Sequence, residues 1–533
     1  MKYEFVYITA KEESGEVSIT DIDGVFNSYF SLGNFFDAMR RYHVEKVFMA
    51  DTQLQFSYLL DYAKHNGLQV KKLIQNKGNI YAFILNGIKF VSCDNIYNSP
   101  FDLLCEEFQL GKPSGNAIRK LVGHIEDLGE GKFSFVDGEY YTIGGLAWLW
   151  LTKGFCGNQS DIMGAKYNNH FHMKQWDFFK ENDIYRGGIC LLNERYRGRD
   201  VHNLYKYDVN SFFLYVMATG NMPVGKYFRK EGKPTQLKDV VVHVRITGIT
   251  RFPGIATIPC GRLYFENVVA QELWLWGDEL EELMIWNDLS IEWLEYLEWE
   301  WNEPDAEFRK FACHFFPQKK DANGIRRRGV KLIINNSYGK WGQSPVQHTY
   351  SLNDAGEWKQ SKEFINYKLG VRSLAVASKI TALSRTELLR RIRKATNNRP
   401  DLYFVYGDTD SMILTQPIEE TDIGDGLGMW KFEGWFEKGV FLGKKCYLLY
   451  DGEEYEAHAC GVNRRTLQQA LLGKNWEEAR EMFDYDKEFM CPVVVRGNGG
   501  KYRTMAPRII SRGFEKSNFN PIYGTYEQGD DAL

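Results

Sequence analysis

The segment from Tyr406 to Ser411 constrains the fold of this chain more than any other part of the sequence. It places two carboxylates, Asp408 and Asp410, in a turn between the apolar runs Leu402–Val405 and Met412–Leu414. Two apolar strands joined by a polar turn form a hairpin whose stems are buried. Carboxylates beside a core are costly unless something neutralises them, and a divalent cation commonly does so. The alternative is a solvated turn in which Asp and Thr only favour the bend.

Two further segments carry chemistry that matches this turn. Lys206–Val209 is a short strand candidate with a single acid, Asp208, near its end. Lys331–Gly339 follows a basic run and is predicted to be helical. Four side chains around it lie at spacings of four, four and three, and therefore share one helix face: Arg327, Lys331, Asn335 and Tyr338. Such a face could hold a triphosphate, a sugar and a base. The alternative is a solvated cationic face.

In this order, the three segments resemble the conserved regions of family B DNA polymerases. Asp208–Phe213 matches DxxSLY, Lys331–Gly339 matches KxxxNSxYG and Tyr406–Ser411 matches YxDTDS. Tyr185–Gly188 is similar to the YxGG element of this family, and Lys444–Tyr447 to its KxY element. The chain most resembles the compact protein-primed branch of phages and mobile elements. The resemblance implies a DNA-directed DNA polymerase that adds deoxynucleotides to a 3′ hydroxyl.

The resemblance also implies an α+β fold. The expected architecture is a hand-shaped polymerase with palm, fingers and thumb, an N-terminal RNase H-like exonuclease-type domain, and two insertions. The expected bounds are 1–184 for the N-terminal domain, 185–226 and 369–459 for the palm, 227–307 for the first insertion, 308–344 for the fingers, 345–368 for the second insertion, and 460–533 for the thumb and tail. In relatives, the first insertion docks the priming protein and the second serves strand displacement. We expect the acidic, Trp-rich stretch Gln271–Trp301 to be helical, and Pro345–Asn366 to contain a hairpin.

The resemblance assigns the catalytic acids as Asp208, Asp408 and Asp410. Asp208 and Asp410 are expected to bridge two Mg²⁺ ions, with the Val209 carbonyl completing the shell and Asp408 as a weaker partner. Hard oxygen ligands suit Mg²⁺, and Mn²⁺ is expected to substitute for it.

Nucleotide and DNA contacts follow from the same motifs. The expected nucleotide-binding residues are Lys319, Lys331, Asn335, Tyr338 and Phe213. Phe213 stands where the family usually has Tyr, and its ring is expected to exclude a ribose 2′-hydroxyl. The expected primer and DNA contacts are Tyr185, Gly187, Gly188, Ser211, Lys445, Tyr447 and His458. His458 lies where relatives have a lysine-led segment. For Tyr338 and Tyr447, the alternative is core packing with a satisfied hydroxyl.

The N-terminal domain departs most from the family. A proofreading exonuclease needs about four acids, and the expected positions carry other residues. Val6 and Ile8 replace the first acid pair, Asp51 and Gln55 fall at the Asn and Asp positions of the second motif, and Gly145 lies four residues after Tyr141. We therefore predict no exonuclease residues and a domain that serves as scaffold. The competing interpretation takes Asp21 and Asp23 as the true acid pair.

Composition limits the remaining possibilities. The chain has 533 residues, a net charge of −4 and nine Cys without CxxC pairs, which favours a reducing compartment. Basic residues cluster in Lys319–Lys331 and Arg385–Arg399, where phosphate contact is possible, whereas Glu266–Glu307 is acidic and is interpreted as a solvated face. We expect no membrane association, a monomer, the cytoplasm of a bacterial host, and DNA template and primer, dNTPs and a terminal priming protein as partners. The alternatives are a nucleic-acid-primed gap-filling, lesion-bypass or untemplated polymerase, and a non-catalytic DNA-binding scaffold.

Overall fold

The computed structural model describes residues 3–10, 17–20, 32–50, 52–76, 79–97, 99–155, 172–249, 255–257, 264–266, 268–343, 346–352, 358–365, 373–497 and 500–511. Asp21, Asp23 and Asp51 lie outside the described residues, as do the tip of the second insertion and the tail from 512 onward. Among the residues described, no helix is both long enough and apolar enough to cross a membrane.

The N-terminal domain combines helices with a five-stranded sheet of order β1-β4-β7-β6-β5. Its elements are β1 Tyr3–Phe5, β2 Tyr7–Ala10, β3 Val17–Thr20, α1 Leu32–Arg41, β4 Lys46–Met49, α2 Thr52–His65, β5 Val70–Asn76, β6 Asn79–Leu85, β7 Ile88–Ser92, α3 Phe101–Glu107, α4 Gly115–Asp127, α5 Ile143–Leu149 and α6 His172–Glu181. The strands β1, β4 and β7 are parallel, and both faces of the strand β4 (Val47, Phe48, Met49) are buried, as parallel sheets require.

The central part of the chain begins with two palm strands and continues into the first insertion. Its elements are β8 Cys190–Leu192, β9 Asp200–Val209, α7 Phe212–Thr219, β10 Asn221–Glu231, β11 Val241–Ile249, β12 Ile255–Thr257, β13 Tyr264–Glu266, β14 Val268–Trp276, α8 Gly277–Trp286 and β15 Asp288–Pro304. The strands β10, β15, β11 and β14 form an antiparallel sheet in that order.

The expected helix over Gln271–Trp301 is therefore wrong for most of its length. Only α8 is helical there, and β15 is a strand of 17 residues. The glutamates of β15 recur about every three residues, a spacing compatible with a helix, but cross-strand partners decide the structure. Glu295 pairs with Arg229, and Glu292 with Arg245 at 2.6 Å. The expected solvated face is also wrong for α8, because its acids Glu279 and Glu282 are buried.

The remaining elements lie in the ranges expected for the fingers, the second insertion, the rest of the palm and the thumb. They are α9 Ala306–Asp321, α10 Gly324–Ser337, β16 Val346–Leu352, β17 Trp358–Ile365, α11 Leu374–Ala395, α12 Pro400–Tyr403, β18 Phe404–Asp408, β19 Ser411–Leu414, β20 Trp430–Gly443, β21 Cys446–Tyr450, β22 Tyr455–His458, α13 Arg464–Leu471, α14 Trp476–Met482, β23 Glu488–Gly497 and β24 Gly500–Ile509. The antiparallel pair β16 and β17 confirms the hairpin expected in the second insertion.

A single apolar core joins the N-terminal domain, the palm and the fingers. It includes Phe135 and Trp150 from the N-terminal domain, Phe212 from the palm, and Phe315 and Ile333 from the fingers helices. The indole of Trp150 meets the ring of Phe315 edge to face at 5.2 Å. The helix α10 also approaches the N-terminal domain at Gly329, where a Cβ would lie 2.7 Å from the Leu128 side chain. These three parts of the molecule therefore share one packed interior.

Candidate active site

The palm sheet brings the three predicted acids together where the strand β9 ends beside the turn between β18 and β19. Its seven strands lie in the order β22-β21-β20-β9-β19-β18-β8. Asp208, near the end of β9, is the cross-strand partner of Ser411, which in turn is paired with Asp408 across the hairpin. The backbone N–H of Val209 donates to the Asp410 carbonyl at 2.8 Å. The hairpin predicted around Asp408 and Asp410 is thus confirmed, with its stems buried.

Burial and repulsion from nearby acids raise the pKa of two of these carboxyl groups. Burial and then the nearby Glu433 raise the pKa of Asp208 to about 6, although Lys319, Lys331 and Lys431 act in the opposite direction. Burial, followed by repulsion from Asp208 and Asp408, raises the pKa of Asp410 to about 7. Two carboxylates that disfavour their charged forms so strongly are a site that a bound cation would stabilise.

The donor chemistry fits divalent metal ions. Within the described ranges, no three or more acidic, histidine or cysteine side chains converge as one metal-binding group. The oxygens available are the carboxylates of Asp208 and Asp410 and the adjacent backbone carbonyl of Val209. Such a set leaves most coordination positions to substrate oxygens and water, which is typical of Mg²⁺ sites that act on phosphates.

Asp408 interacts with a lysine of the KxY element. Its carboxylate forms an ion pair with the ammonium group of Lys445. Although burial opposes the charge of Lys445, the hydrogen bond to Asp408 raises the lysine's pKa above its ordinary value. The backbone N–H of Lys445 also donates to the Tyr406 hydroxyl at 3.0 Å. The KxY element and the acidic hairpin are therefore joined directly through Lys445.

The turn between the acids is held in an unusual backbone conformation. Thr409 has φ of 61°, in the left-handed region that non-glycine residues rarely adopt. Its N–H donates to the carbonyl of Ile189 at 2.8 Å, and its hydroxyl donates to Asp408 Oδ1 at 3.1 Å. A Cβ at Gly188 would lie 2.8 Å from Thr409 Oγ1, so only glycine fits beneath this turn. The YxGG segment thus supports the acidic turn from below.

The predicted nucleotide-binding residues gather next to Asp208. Lys319 donates to the Ser211 hydroxyl at 2.9 Å, and burial with repulsion from Lys331 lowers its pKa. The ring of Phe213 stacks on that of Tyr338, with centroids 3.9 Å apart and planes at 14°. The helix α10 exposes Lys331 and Asn335 on one face and ends in a turn of 3₁₀ helix at Tyr338–Lys340. The predicted helix is confirmed, and the structure brings this set together.

The other predicted primer contacts lie further along the palm. Tyr447 is buried, and its hydroxyl donates to Glu456 Oε1 at 3.4 Å. The ring of His458 lies 5.0 Å from that of Tyr447, and its Nε2 is 3.6 Å from Glu456. Tyr185 is half-buried, and a Cβ at Gly342 would lie 2.8 Å from its hydroxyl. Tyr447 therefore has the packing and the satisfied hydroxyl of the alternative interpretation, whereas Gly187 and Gly188 lie beside the acidic turn.

Three charged residues belong to this site in roles that the sequence does not predict. Lys431 is the cross-strand partner of Asp208, and Glu433 is the extra residue of a bulge in β20 between Phe432 and Gly434. Lys431 and Glu433 form an ion pair at 2.6 Å. Bulges often redirect side chains beside active sites. The third residue, Arg385, binds the YxGG segment. None of the three has a local sequence signal, because each acts through a residue distant in the chain.

The main cations of the run Arg385–Arg399, where phosphate contact is expected from the sequence, form ion pairs within the protein. They are held by acids of the same molecule: Arg385 by Glu279, Arg390 and Arg393 by Glu282, Arg391 by Glu387, Lys394 by Asp422 and Arg399 by Asp401. The helix α11 packs against α8 of the first insertion, so the basic run of one helix neutralises the buried acids of the other.

The N-terminal domain shows apolar or neutral groups at the described exonuclease positions. Val6 is buried, and Gln55 is buried with neither amide atom bonded within the described part of the chain. Gly145 lies in the first turn of α5, where its N–H donates to the Thr142 hydroxyl at 3.0 Å. A Cβ at the adjacent Gly144 would lie 2.3 Å from the Lys340 side chain of the fingers. Fingers residues thus cover the start of α5.

Comparison with known proteins agrees with this geometry. The profile of the family described as "DNA polymerase type B, organellar and viral" matches residues 116–389, just over half of the 533 residues. The DNA polymerase of Bacillus phage Nf is 26% identical over 324 residues, which cover 56% of this chain and 54% of the relative. The DNA polymerase of Bacillus phage B103 is 22% identical over 480 residues, which cover 79% of this chain and 81% of the relative. The chain thus spans about half the length of the first of these relatives.

A solved structure shows that the fold is shared over nearly the whole chain. Phi29 DNA polymerase, complexed with primer-template DNA and incoming nucleotide substrates, superimposes with a TM-score of 0.77 at 17% identity. The match covers 96% of this chain and 100% of that one. The α+β architecture expected from the sequence is therefore confirmed.

Proposed function

Because the chain belongs to the organellar and viral type B DNA polymerases, we propose that it is a DNA-directed DNA polymerase that replicates the genome of a phage or mobile element from a protein primer. The observation that carries this proposal is the pair Asp208 and Asp410. Asp208 lies near the end of β9 and Asp410 lies in the turn that leads into the neighbouring strand β19, and both have raised pKa values. The proposed partners are a DNA template and primer, dNTPs and a terminal priming protein. The proposed setting is a monomer in the cytoplasm of a bacterial host.

The residues around the pair divide the work of nucleotidyl transfer. Asp208, Asp410 and the Val209 carbonyl would hold two Mg²⁺ ions, for which Mn²⁺ could substitute. When bound, the ions neutralise charge on the triphosphate and activate the primer hydroxyl. Lys319 and Lys331 add positive charge on the side of the fingers. Phe213, stacked on Tyr338, provides the flat surface against which a deoxyribose fits and a 2′-hydroxyl does not.

The N-terminal domain is proposed to act as scaffold and not as a proofreading nuclease. Metal-dependent exonuclease chemistry needs carboxylates, and the described positions offer Val6, Gln55 and Gly145 instead. The packing of Gly144 against Lys340 further supports a structural role, because it joins α5 to the fingers.

A labelled primer–template with Mg²⁺, incubated with all four dNTPs or with none, tests both parts of the proposal. We expect template-directed extension with dNTPs and no shortening without them. Asp410→Asn should abolish extension and leave DNA binding intact. Asp425→Asn makes the same chemical change at an acid exposed to solvent and serves as the matched control. Normal extension by Asp410→Asn would refute the metal assignment, and shortening that survives purification would refute the inactive nuclease.

A nucleic-acid-primed polymerase is the second candidate, and the absent exonuclease acids favour it. Primer dependence separates the two candidates. A protein-primed enzyme joins the first nucleotide to a Ser, Thr or Tyr hydroxyl of a partner protein, whereas the alternative extends only a nucleic-acid end. Transfer of labelled nucleotide to a candidate priming protein from the same genetic element would support the first. Failure of such transfer alongside efficient oligonucleotide extension would support the second.

A further inference from the structure

Arg385 occupies an unusual position for a charged side chain. It lies on α11 with only 2% of its side chain exposed. Its Nε and Nη2 donate to the two carboxylate oxygens of Glu279, each at 2.8 Å. Glu279 belongs to α8, in the first insertion. Bidentate pairs of this kind fix the plane of the guanidinium group as well as its location.

The third nitrogen of Arg385 reaches the YxGG segment. Nη1 donates to the carbonyl of Arg186 at 2.9 Å and to that of Gly187 at 2.8 Å. Arg186 is itself buried, and its Nη2 donates to the carbonyl of Trp274 in β14 of the first insertion at 2.9 Å. Through these hydrogen bonds, Arg186 and Arg385 connect the backbone of residues 186 and 187 to the first insertion.

The residues that follow Gly187 contact the acidic turn directly. Gly188 lies against the Thr409 side chain, and the Ile189 carbonyl accepts the Thr409 N–H. Cys190 then pairs with Asp408 in the palm sheet. The left-handed conformation of Thr409 needs support from its surroundings, and residues 188–190 provide it. A shift of these residues would move Asp408 and Asp410 relative to Asp208.

We propose that Arg385 is a positioning residue for nucleotidyl transfer, which holds the YxGG segment under the catalytic turn and is itself oriented by Glu279 of the first insertion. The inference rests on the proposed polymerase function. It gives the first insertion a part in setting the geometry of the acids, through a guanidinium group that touches neither substrate nor metal.

A nearby ion pair on the same two helices supplies the control. Lys379 of α11 is fully buried and binds Asp278 of α8 at 2.5 Å and Asp239 at 2.9 Å. Among the described residues, Lys379 and Asp278 bond to each other and to Asp239 and not to the segment 185–190. Asp278→Asn thus weakens the same interface without touching the YxGG carbonyls.

The test compares Arg385→Lys with Asp278→Asn in steady-state primer extension and in thermal unfolding. Lysine keeps the positive charge opposite Glu279. Its single ammonium group cannot bind Glu279 and the carbonyls of Arg186 and Gly187 with the fixed geometry of a guanidinium group. We expect kcat to fall about 10- to 100-fold, because small displacements of reacting groups have effects of this size. We also expect KM for dNTP to stay within about twofold and the half-saturating Mg²⁺ concentration to rise. Asp278→Asn should lower Tm with kcat within about twofold of wild type.

A second variant keeps the proposal testable if Arg385→Lys fails to fold. Gly188→Ala leaves both ion pairs intact and pushes on the Thr409 side chain, so it should reproduce the loss of kcat and the raised Mg²⁺ requirement. Wild-type kinetics for either Arg385→Lys or Gly188→Ala would overturn the inference, as would an equal loss of kcat in Asp278→Asn. A wild-type protein unable to extend any primer would instead refute the proposed function.

Discussion

Replacing Asp410 by asparagine should stabilise the metal-free protein at the same time as it abolishes extension. In the folded protein, burial and the neighbouring acids raise the pKa of Asp410 from 3.8 to about 7. Between about pH 4 and about pH 7, the Asp410 carboxyl of the folded state therefore keeps its proton, whereas the same group in the unfolded state has lost it. Because the unfolded state binds fewer protons, the free energy of unfolding of the wild-type protein falls as pH rises from about 4 to about 7. Asparagine does not titrate, so Asp410→Asn removes this pH-dependent contribution to the free energy of unfolding.

The magnitude follows from the shift. A difference of about 3 pKa units corresponds to about 4 kcal/mol once the pH exceeds the folded value. At about pH 5, about 1 to 2 kcal/mol of this cost is already present, so the advantage of Asp410→Asn should grow by about 2 to 3 kcal/mol between about pH 5 and about pH 8. The amide of asparagine still needs hydrogen-bond partners, which reduces the absolute gain at every pH but leaves its pH dependence unchanged.

Urea denaturation in EDTA at several pH values measures this effect. Asp425→Asn should follow the wild-type protein at each pH, because Asp425 is largely exposed. Added Mg²⁺ should reverse the order at about pH 8, since an ion that binds only the folded wild-type protein stabilises that protein alone. If the free energies of unfolding of the wild-type protein and Asp410→Asn change in parallel between about pH 5 and about pH 8, Asp410 is not a desolvated acid that a bound cation would stabilise.

Three other outcomes test the site. Phe213→Val should raise the ratio of ribonucleotide to deoxynucleotide incorporation by about 10-fold or more, because exclusion by shape contributes about 1–3 kcal/mol. Single-nucleotide kinetics with both sugars measure this ratio, and an unchanged ratio would show that Phe213 does not select the sugar. Lys331→Met should raise KM for dNTP by about 10- to 100-fold, the value of a charge-assisted contact, whereas Lys320→Met on the neighbouring helix should leave it within about twofold. The purified protein should not shorten a labelled 3′ single strand in Mg²⁺ or Mn²⁺, and shortening that co-purifies with the polymerase and survives Asp410→Asn would show a nuclease in the N-terminal domain.

Local patterns in the sequence predicted the parts of the site that local interactions form. The hairpin around Asp408 and Asp410, the helical face of Lys331 and Asn335, and the hairpin of the second insertion all depend on residues within a few positions of each other. Side-chain period and turn residues determine such elements. The same reasoning misassigned the stretch that contains β15, because its glutamates find their partners on strands more than 40 residues away.

Long-range contacts account for what the sequence could not show. The run Arg385–Arg399 has the composition of a phosphate-binding surface, yet α8, about 100 residues upstream, supplies the acids Glu279 and Glu282 that bind Arg385 and Arg393. The prediction that Lys445 holds the primer end stays a prediction, and its ion pair with Asp408 could not be foreseen because it depends on the register of the whole palm sheet. Charge counted along a sequence says little until its partners in space are known.

The core shared by the N-terminal domain, the palm and the fingers has an evolutionary consequence. A lineage can lose the carboxylates of a nuclease by point substitution, since those groups contribute chemistry and not packing. Deleting the domain would strip Phe315 and Ile333 of apolar neighbours such as Trp150, and would expose a large part of the interior of the fingers to water. Selection would therefore retain such a domain even in a lineage whose nuclease residues had been substituted. For the same reason, truncated forms that begin at the YxGG segment should be insoluble, and a proofreading domain exchanged from a relative would fold here only together with the fingers it evolved with.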